Sequence, residues 1–477
     1  MIAAMNWSLA LPEIVLACCA MGILIFGVLQ KANATFACTM LAVGALVLTG
    51  ALVLSGASGS GYRGLFVVDP FADFMKLLVL VGAGLSVVLA LDYNVHEGIS
   101  KFEFPVLVLL STVGMMIMCS TANLMTLYLG LELQSLALYV LCAFNRDDMR
   151  SSESGLKFFI LGALASGLLL YGISLAYGFA GTMDFGELAR ALTFPGTASP
   201  GLIVGVVFII AGLSFKLSAV PFHMWTPDVY EGAPTPVTAF MSTAPKVAAI
   251  ALLLRALEVP FHGIFQQWSG LIVLVSIASM LLGSLAAIGQ RNIKRLMAYS
   301  SIGHIGYALV GLAPGSQEGI RGVMIYMVTY VFMSAGVFAV LIAMRRRGRA
   351  LEQISDLSGL STTDPGLALI MTIFMFSMAG IPPFSGFFGK LYVFRAAVDS
   401  GYWTLAVIGV LTSVIGAFYY LRIIKVMYFD AAEPAFDPRT TSLTFVGAVG
   451  ALVTTFFFVI PAPIVGAAQS AAHLLFG

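Results

Sequence analysis

Charge is what this sequence has least of: Asp, Glu, Lys and Arg make up 10% of its 477 residues, against about 25% in soluble domains. With 60% of the residues hydrophobic, so long a chain cannot cover a soluble surface and must pass repeatedly through a membrane. Its net charge of +1 leaves no basic stripe to neutralise phosphates, which excludes a nucleic-acid partner. Cysteine is sparse too. Cys18, Cys19, Cys38, Cys119 and Cys142 all fall in apolar runs and form no CxxC pair, so neither a metal site nor a disulfide framework is expected. No phosphate-cradling loop, Gly-rich dinucleotide turn or nucleophilic triad spacing occurs. Of five histidines, His96, His262 and His473 sit at span ends or beyond, whereas haem ligation needs histidines deep in facing helices. The longest polar stretch, 345–365, is a solvated loop too short for a soluble domain. Whatever drives the protein must therefore act in another chain. The first apolar run has no basic region or cleavage site before it, so it reads as a retained helix.

What is present is membrane-spanning sequence. Runs of about 20 apolar residues occur near 11–30, 34–55, 72–92, 103–120, 122–144, 156–180 and 202–225. Further runs lie near 236–257, 264–289, 293–313, 321–344, 366–398, 402–428 and 441–468, which gives an expectation of fourteen spans. Basic residues test that count. Alternate loops from the first collect fourteen, including Lys31, Lys101, Arg146, Arg150, Lys294, Arg295 and Arg345. The opposite side holds Arg63, Lys76, Arg190, Arg255, Arg321 and Arg395. The positive-inside bias then places both termini on the periplasmic side of a bacterial inner membrane.

Two spans are expected to be broken. Residues 366–398 would rise about 50 Å as one helix, too far for the bilayer, and they contain AGIPPFSGFFGK. In GLSFKLSAVPFHMW, Pro221 follows five residues after Lys216. Each break lies close to an intramembrane lysine, and interrupted helices place helix ends beside charge in transporters. Glu132 and His304 stand 172 residues apart, and Lys216 and Lys390 stand 174 apart. Five-helix units starting at the fourth and ninth spans begin on opposite sides, an inverted repeat. The fold expected is therefore an all-α polytopic membrane protein with two inverted five-helix repeats. Its parts are an N-terminal three-helix segment (1–100), a first repeat (101–260), a second repeat (261–430) and a C-terminal helix (431–477).

Glu132, Lys216, Lys246 and Lys390 lie in otherwise apolar helix, where each charge costs on the order of 2.5–3.5 kcal/mol on insertion scales. The loop TPDVYEGAPTP lies ten residues after Lys216 and ten before Lys246, so both lysines reach similar depth, near mid-membrane. A desolvated lysine whose carboxylate partner moves can switch between charged and neutral forms, which suits a proton relay. Structural ion pairing of Glu132 and Lys216 is the plain alternative, but it leaves Lys246 and Lys390 without acidic partners. His304, in YSSIGHIGYAL with Ser300, Ser301 and Tyr307, can donate and accept, or it can be a packing residue. Lys157 is a candidate modulator that could equally snorkel from the helix end, and His223 follows the first break.

GLELQSLALYVL, KLSAVPFHMWTPDVYEGAPTPVTAFMSTAPKVA, IKRLMAYSSIGHIGYAL and AGIPPFSGFFGKLYVF resemble the antiporter-like membrane subunits of respiratory complex I. The likeness is closest to the N-type, because Lys390 is not a glutamate and no long lateral helix follows. The resemblance implies a share in proton pumping by an NADH:quinone oxidoreductase. Glu132 and Lys216 would form a modulating pair, Lys246 and His304 would pass the proton inward, and Lys390 would release it. It also implies no cofactor in this chain. NADH, FMN, iron–sulfur clusters and quinone would belong to partner subunits, and other membrane subunits and lipid would surround it. A subunit of a multisubunit Na+/H+ antiporter or a membrane-bound hydrogenase shares this pattern. A structural scaffold without transport of its own is the alternative of a different class.

Overall fold

A computed structural model of the protein describes residues 6–30, 34–193 and 199–475. Lys31, counted above among the basic loop residues, lies outside them. In a bilayer the backbone has no solvent to bond, so long apolar runs close their hydrogen bonds internally as helices. In chain order these are α1 (Leu11–Leu29), α2 (Thr35–Ser55), α3 (Pro70–His96), α4 (Glu103–Ser120), α5 (Leu124–Cys142), α6 (Met149–Ala180) and α7 (Phe185–Ala191). Next come α8 (Pro200–Leu217), α9 (Thr226–Gly232), α10 (Thr235–Ser242), α11 (Ala244–Glu258), α12 (Phe265–Ile288), α13 (Ile293–Leu312) and α14 (Gln317–Ala343). The chain finishes with α15 (Leu360–Thr363), α16 (Pro365–Ala379), α17 (Ser385–Asp399), α18 (Trp403–Phe429), α19 (Thr441–Phe456) and α20 (Ala462–Leu475). Strands among the described residues are confined to two antiparallel hairpins, β1 (Gly59–Gly61) with β2 (Phe66–Val68) and β3 (Arg345–Arg346) with β4 (Arg349–Ala350).

Helix starts follow local chemistry. Asn123, Asp148, Ser199 and Asn292 each accept a backbone N–H of the first turn, satisfying donors that a helix leaves unpaired. Where α6 crosses α8, Gly172 and Gly205 let the backbones touch: a Cβ on Gly172 would come within 2.6 Å of the Gly205 carbonyl. The α10–α11 segment and α14 are buried almost throughout, whereas α6 and α18 present broad apolar faces outward. The middle of the molecule is therefore α10–α11 and α14, with the other helices packed around them.

Eleven segments among the described residues are long and apolar enough to cross a membrane. Three expected spans are not among them. Residues 293–312 form a helix that begins on Lys294 and Arg295, residues 365–399 are split into α16 and α17, and residues 441–475 are split into α19 and α20. The last split was not expected: helix stops at Phe456 and resumes at Ala462, just after Pro461.

Both expected breaks are present. α8 stops at Leu217, with Ser218 left-handed at φ 63°, and no helix forms again before Thr226, where a helix to Trp225 was expected. α16 stops at Ala379, with Gly380 at φ 86°, and α17 starts at Ser385. A third break, read from the sequence as continuous helix over 236–257, separates α10 from α11 at Thr243 (φ −114°, ψ −97°). Pro245 causes it, because a proline has no N–H to bond Met241 and its ring meets that carbonyl.

Gly380 gives the second break a direct test. An added Cβ would lie 3.0 Å from Cδ of Lys390 and 3.2 Å from its Nζ, on backbone of positive φ. Gly380→Ala is expected to cost about 1–2 kcal/mol from the left-handed backbone alone, and to push the lysine off its acceptors. The melting temperature would fall. An unchanged melting point would show that Gly380 is not needed for the bend.

Candidate functional site

The first break and the third meet. Lys246, two residues into α11, is 1% exposed. Its Nζ donates to the Leu217 carbonyl at 2.7 Å and to Ser218 Oγ at 2.5 Å. These form the buried carboxyl end of α8, where the helix dipole is negative and carbonyls lack partners within the helix. A cation there is worth about 0.3–1 kcal/mol. Trp225 packs on the same end: its Nε1 donates to the Phe215 carbonyl at 2.9 Å, and its ring lies 5.7 Å from Nζ of Lys246.

Lys216, one residue before that end, points the other way. Its Nζ donates to Ser135 Oγ at 2.7 Å and Tyr139 OH at 3.2 Å, among the rings of Tyr139, Phe158 and Phe215. Glu132, Ser135 and Tyr139 share one face of α5 by helical spacing. The Glu132 carboxylate accepts from Ser166 of α6, not from Lys216. Glu132 and Lys216 therefore each hold a hydroxyl of their own, Ser166 for the carboxylate and Ser135 with Tyr139 for the ammonium, and no direct ion pair joins them.

His304 lies on α13, buried among tyrosines. Its Nδ1 is 2.6 Å from Tyr326 OH and its Nε2 is 3.1 Å from Tyr420 OH. Tyr420 OH is in turn 2.5 Å from Ser300 Oγ. A neutral imidazole donates at one nitrogen and accepts at the other, so both phenols are served. From the α10–α11 break, Ser242 and Ser334 hydroxyls pair at 2.8 Å, and Tyr330, one turn before Ser334, donates to Ser301 at 2.9 Å. Those hydroxyls connect the surroundings of Lys246 with the helix of His304.

Lys390 closes the row. Its Nζ donates to the Met378 carbonyl (3.0 Å), the Ala379 carbonyl (3.1 Å) and Ser413 Oγ (2.8 Å), and it lies 4.8 Å from the Tyr307 ring. Tyr307 is one turn along α13 from His304, with ring centroids 6.1 Å apart. A cavity of about 470 Å³ lined by Ile381, Phe387, Leu391, Val410 and Val414 reaches the lysine from the outer edge of α17 and α18. Sequence spacing paired Lys390 with Lys216, but its surroundings match those of Lys246. Both ammoniums cap the carboxyl end of a broken helix.

Lys157 lies outside this row. It pairs with Glu153 at 2.7 Å and Asp228 at 2.9 Å, and is 42% exposed. Nine residues of α6, about 13 Å of rise, separate it from Ser166, which touches Glu132. Arg295 completes the cluster, pairing with Asp228 at 2.7 Å and Glu231 at 3.0 Å. Lys294, buried beside it, donates to the Glu231 and Ala233 carbonyls and to Glu352. Lys294, Glu231, Ala233 and Glu352 border a cleft of about 440 Å³ that also reaches Asn145, Arg150 and Gln353, and Lys157, Asp228 and Arg295 line a smaller one of about 170 Å³. Burial by itself would raise the Asp228 carboxyl, but the bonds from Lys157 and Arg295 outweigh it and hold it below the ordinary carboxylate value of 3.8. A depressed acid contributes stability above its unfolded pKa and loses it as pH falls through the folded one. Hydrogen-exchange protection of α9 should thus hold from pH 8 to about 5 and fall only below 3.8. Loss of protection near pH 6 would contradict this. His223, past the first break, is half-buried and in contact with none of the three lysines.

Two buried ion pairs escaped the sequence reading. Lys76 and Arg255, counted above among the basic residues of the opposite side, are buried inside the molecule. Lys76 meets Glu13 at 2.6 Å, and Arg255 holds Asp69 with two bonds of 2.9 and 2.7 Å. They join α1, α3 and α11 far along the chain from one another. The signal available was Glu13 and Lys76, each within a few residues of the start of an apolar run. Among the described residues, no group of three or more His, Cys, Asp or Glu could hold a metal ion.

The family model described as "NADH:quinone oxidoreductase/Mrp antiporter, TM" matches residues 121–416, which include all five groups of the row. NADH-quinone oxidoreductase subunit N of Granulibacter bethesdensis is 66% identical over 476 residues, covering 99% of this chain and 100% of the relative. A chain of respiratory complex I from Thermus thermophilus, in the structure with bound aureothin, superposes with TM-score 0.82 at 31% identity, covering 96% of this chain and 99% of that one. A chain of the Mrp complex from Dietzia sp. shares the fold, with TM-score 0.85 at 23% identity over 99% of this chain and 98% of that one.

Proposed function

The chain belongs to the NADH:quinone oxidoreductase/Mrp antiporter membrane family, and from that premise we propose how its own residues carry protons. It acts as the antiporter-like N-type membrane subunit of a proton-translocating NADH:quinone oxidoreductase, among the other subunits of that complex. NADH, FMN, iron–sulfur clusters and quinone act in those partners, and this chain supplies the path of the proton. The membrane is the bacterial inner membrane, with both termini on the periplasmic side, as the basic-residue bias suggests.

In this reading Lys246 is the central carrier, loaded from the side of Glu132 and Lys216 and discharged through His304 toward Lys390. The observation that carries it is the shared placement of Lys246 and Lys390 on the ends of broken helices, with hydroxyls between. A lysine held by carbonyls and a hydroxyl, with no carboxylate, can give up its proton without leaving an unpaired anion behind. Glu132 acts on Lys216 through space, since a change of charge at Glu132 alters the field at Ser135, one turn along α5, where the ammonium is held. The first repeat (101–260) holds Glu132, Lys216 and Lys246, and the second (261–430) holds His304 and Lys390.

The test is purification in mild detergent with a tag on this chain, followed by proton uptake into vesicles driven by NADH. Peripheral flavin and iron–sulfur subunits should copurify. Uptake should be independent of sodium. Copurification with small membrane chains alone would replace this reading with that of a cation/proton antiporter.

A further inference from the structure

The cluster around α9 has no acceptor or donor in the proton row, yet its geometry ties it to that row at one place. α9 follows the broken end of α8, the end that Lys246 holds through Leu217 and Ser218, after the link 218–225. One residue before α9, Trp225 packs on that end, stacked on Phe158 of α6 at 4.4 Å. Phe158 is the neighbour of Lys157, and it stands 5.9 Å from Nζ of Lys216. The side chains that fix α9 come from both repeats: Lys157 from α6 and Arg295 from α13 converge on Asp228, and Arg295 also takes Glu231 one turn on.

Without these charges α9 would be a helix of seven residues between two irregular links, too short to hold its place alone. We propose that the network of Lys157, Asp228, Arg295 and Glu231 is a positioning site for proton transfer, holding α9, and through Trp225 the broken end of α8, where Lys246 finds its acceptors. This rests on the reading of Lys246 as a proton carrier. Arg295 is the member that spans the two repeats, so it also makes the seat of Lys246 in the first repeat depend on where α13, the helix of His304, stands. A shift of α13 would move Asp228 and Glu231 together, because both carboxylates are held by one guanidinium. Lys157, paired as well with Glu153, anchors the same carboxylate from the first repeat's side.

The test uses the assembled complex in vesicles. Arg295→Gln is expected to lower NADH-driven proton uptake at least about threefold and to move the midpoint of its pH profile by about half a unit or more. Arg295→Lys should recover more than half of the loss, since the charge reaches the same two carboxylates. Wild-type uptake and pH profile in Arg295→Gln would overturn the proposal, as would an Arg295→Lys no better than Arg295→Gln. Should Arg295→Gln fail to assemble, Asp228→Asn removes at equal volume the charge on which Arg295 and Lys157 converge, leaving Arg295 its pair with Glu231, and normal uptake there overturns it too. Lys246→Ala is run in parallel. If it also pumps normally, the proton-carrier reading itself fails; if it alone stops uptake, only the positioning role does.

Discussion

Replacing Lys246 by alanine should lower NADH-driven proton uptake by about tenfold or more, a barrier change of at least about 1.4 kcal/mol, in a complex that still assembles. The lysine is 1% exposed and its two acceptors are the end of a broken helix. Removing it leaves the Leu217 carbonyl and Ser218 hydroxyl without that donor, and only hydroxyls in the gap between Lys216 and His304. Lys246→Arg separates transport from packing. A guanidinium keeps the charge and the donors but does not release a proton, so uptake should stay as low as with alanine. Full uptake with arginine would mean that Lys246 only caps a helix.

The second large effect concerns the ion pair of Glu13 and Lys76, which is nearly inaccessible to solvent on both sides. Truncating one partner of such a pair strands a charge in a dry interior, at a cost of about 3–5 kcal/mol, whereas replacing both by apolar groups is often neutral or better. Lys76→Met and Glu13→Leu should each sharply lower the melting temperature of the complex or its yield. The double variant should recover most of the loss. A double variant as unstable as the sum of the singles would show that the two charges act independently. The ring of Phe66, 4.9 Å from Nζ of Lys76, adds a favourable face that the double variant also gives up, so recovery should stop short of complete.

The polar groups inside the spans were legible because a charge or imidazole in an apolar run is conspicuous one residue at a time. Lys216, Lys246, Lys390, Glu132 and His304 needed no partner in sequence to be noticed. The two prolyl breaks were legible for the same reason. What stayed hidden was relational. Glu13 and Lys76 are 63 residues apart, and each alone, near the start of its span, shows nothing of the other. The α10–α11 break could have been read from Pro245, which sits nine residues after Pro236 in a run otherwise favourable to helix. The pairing of Lys216 with Lys390 followed chain offsets, which record where residues fall in a repeat. Which carbonyl a side chain reaches depends on how the two half-helices are offset in space, and offsets in sequence do not carry that.

Counting N–H bonds at the two helix ends has one more consequence. A charged lysine has three protons to place, a neutral one has two. Lys390 has three acceptors around it: Met378, Ala379 and Ser413. When it gives up its proton, one of those bonds must be lost or reversed. Ser413 is the group able to reverse, by turning its hydroxyl toward the amine lone pair. Lys246 has two acceptors, so its neutral form is already complete and each arriving proton comes with an N–H seeking a new oxygen. One lysine is furnished for its full state and the other for its empty one. On the proposed path, a proton moving from the second to the first would travel toward the seat with a place laid for it.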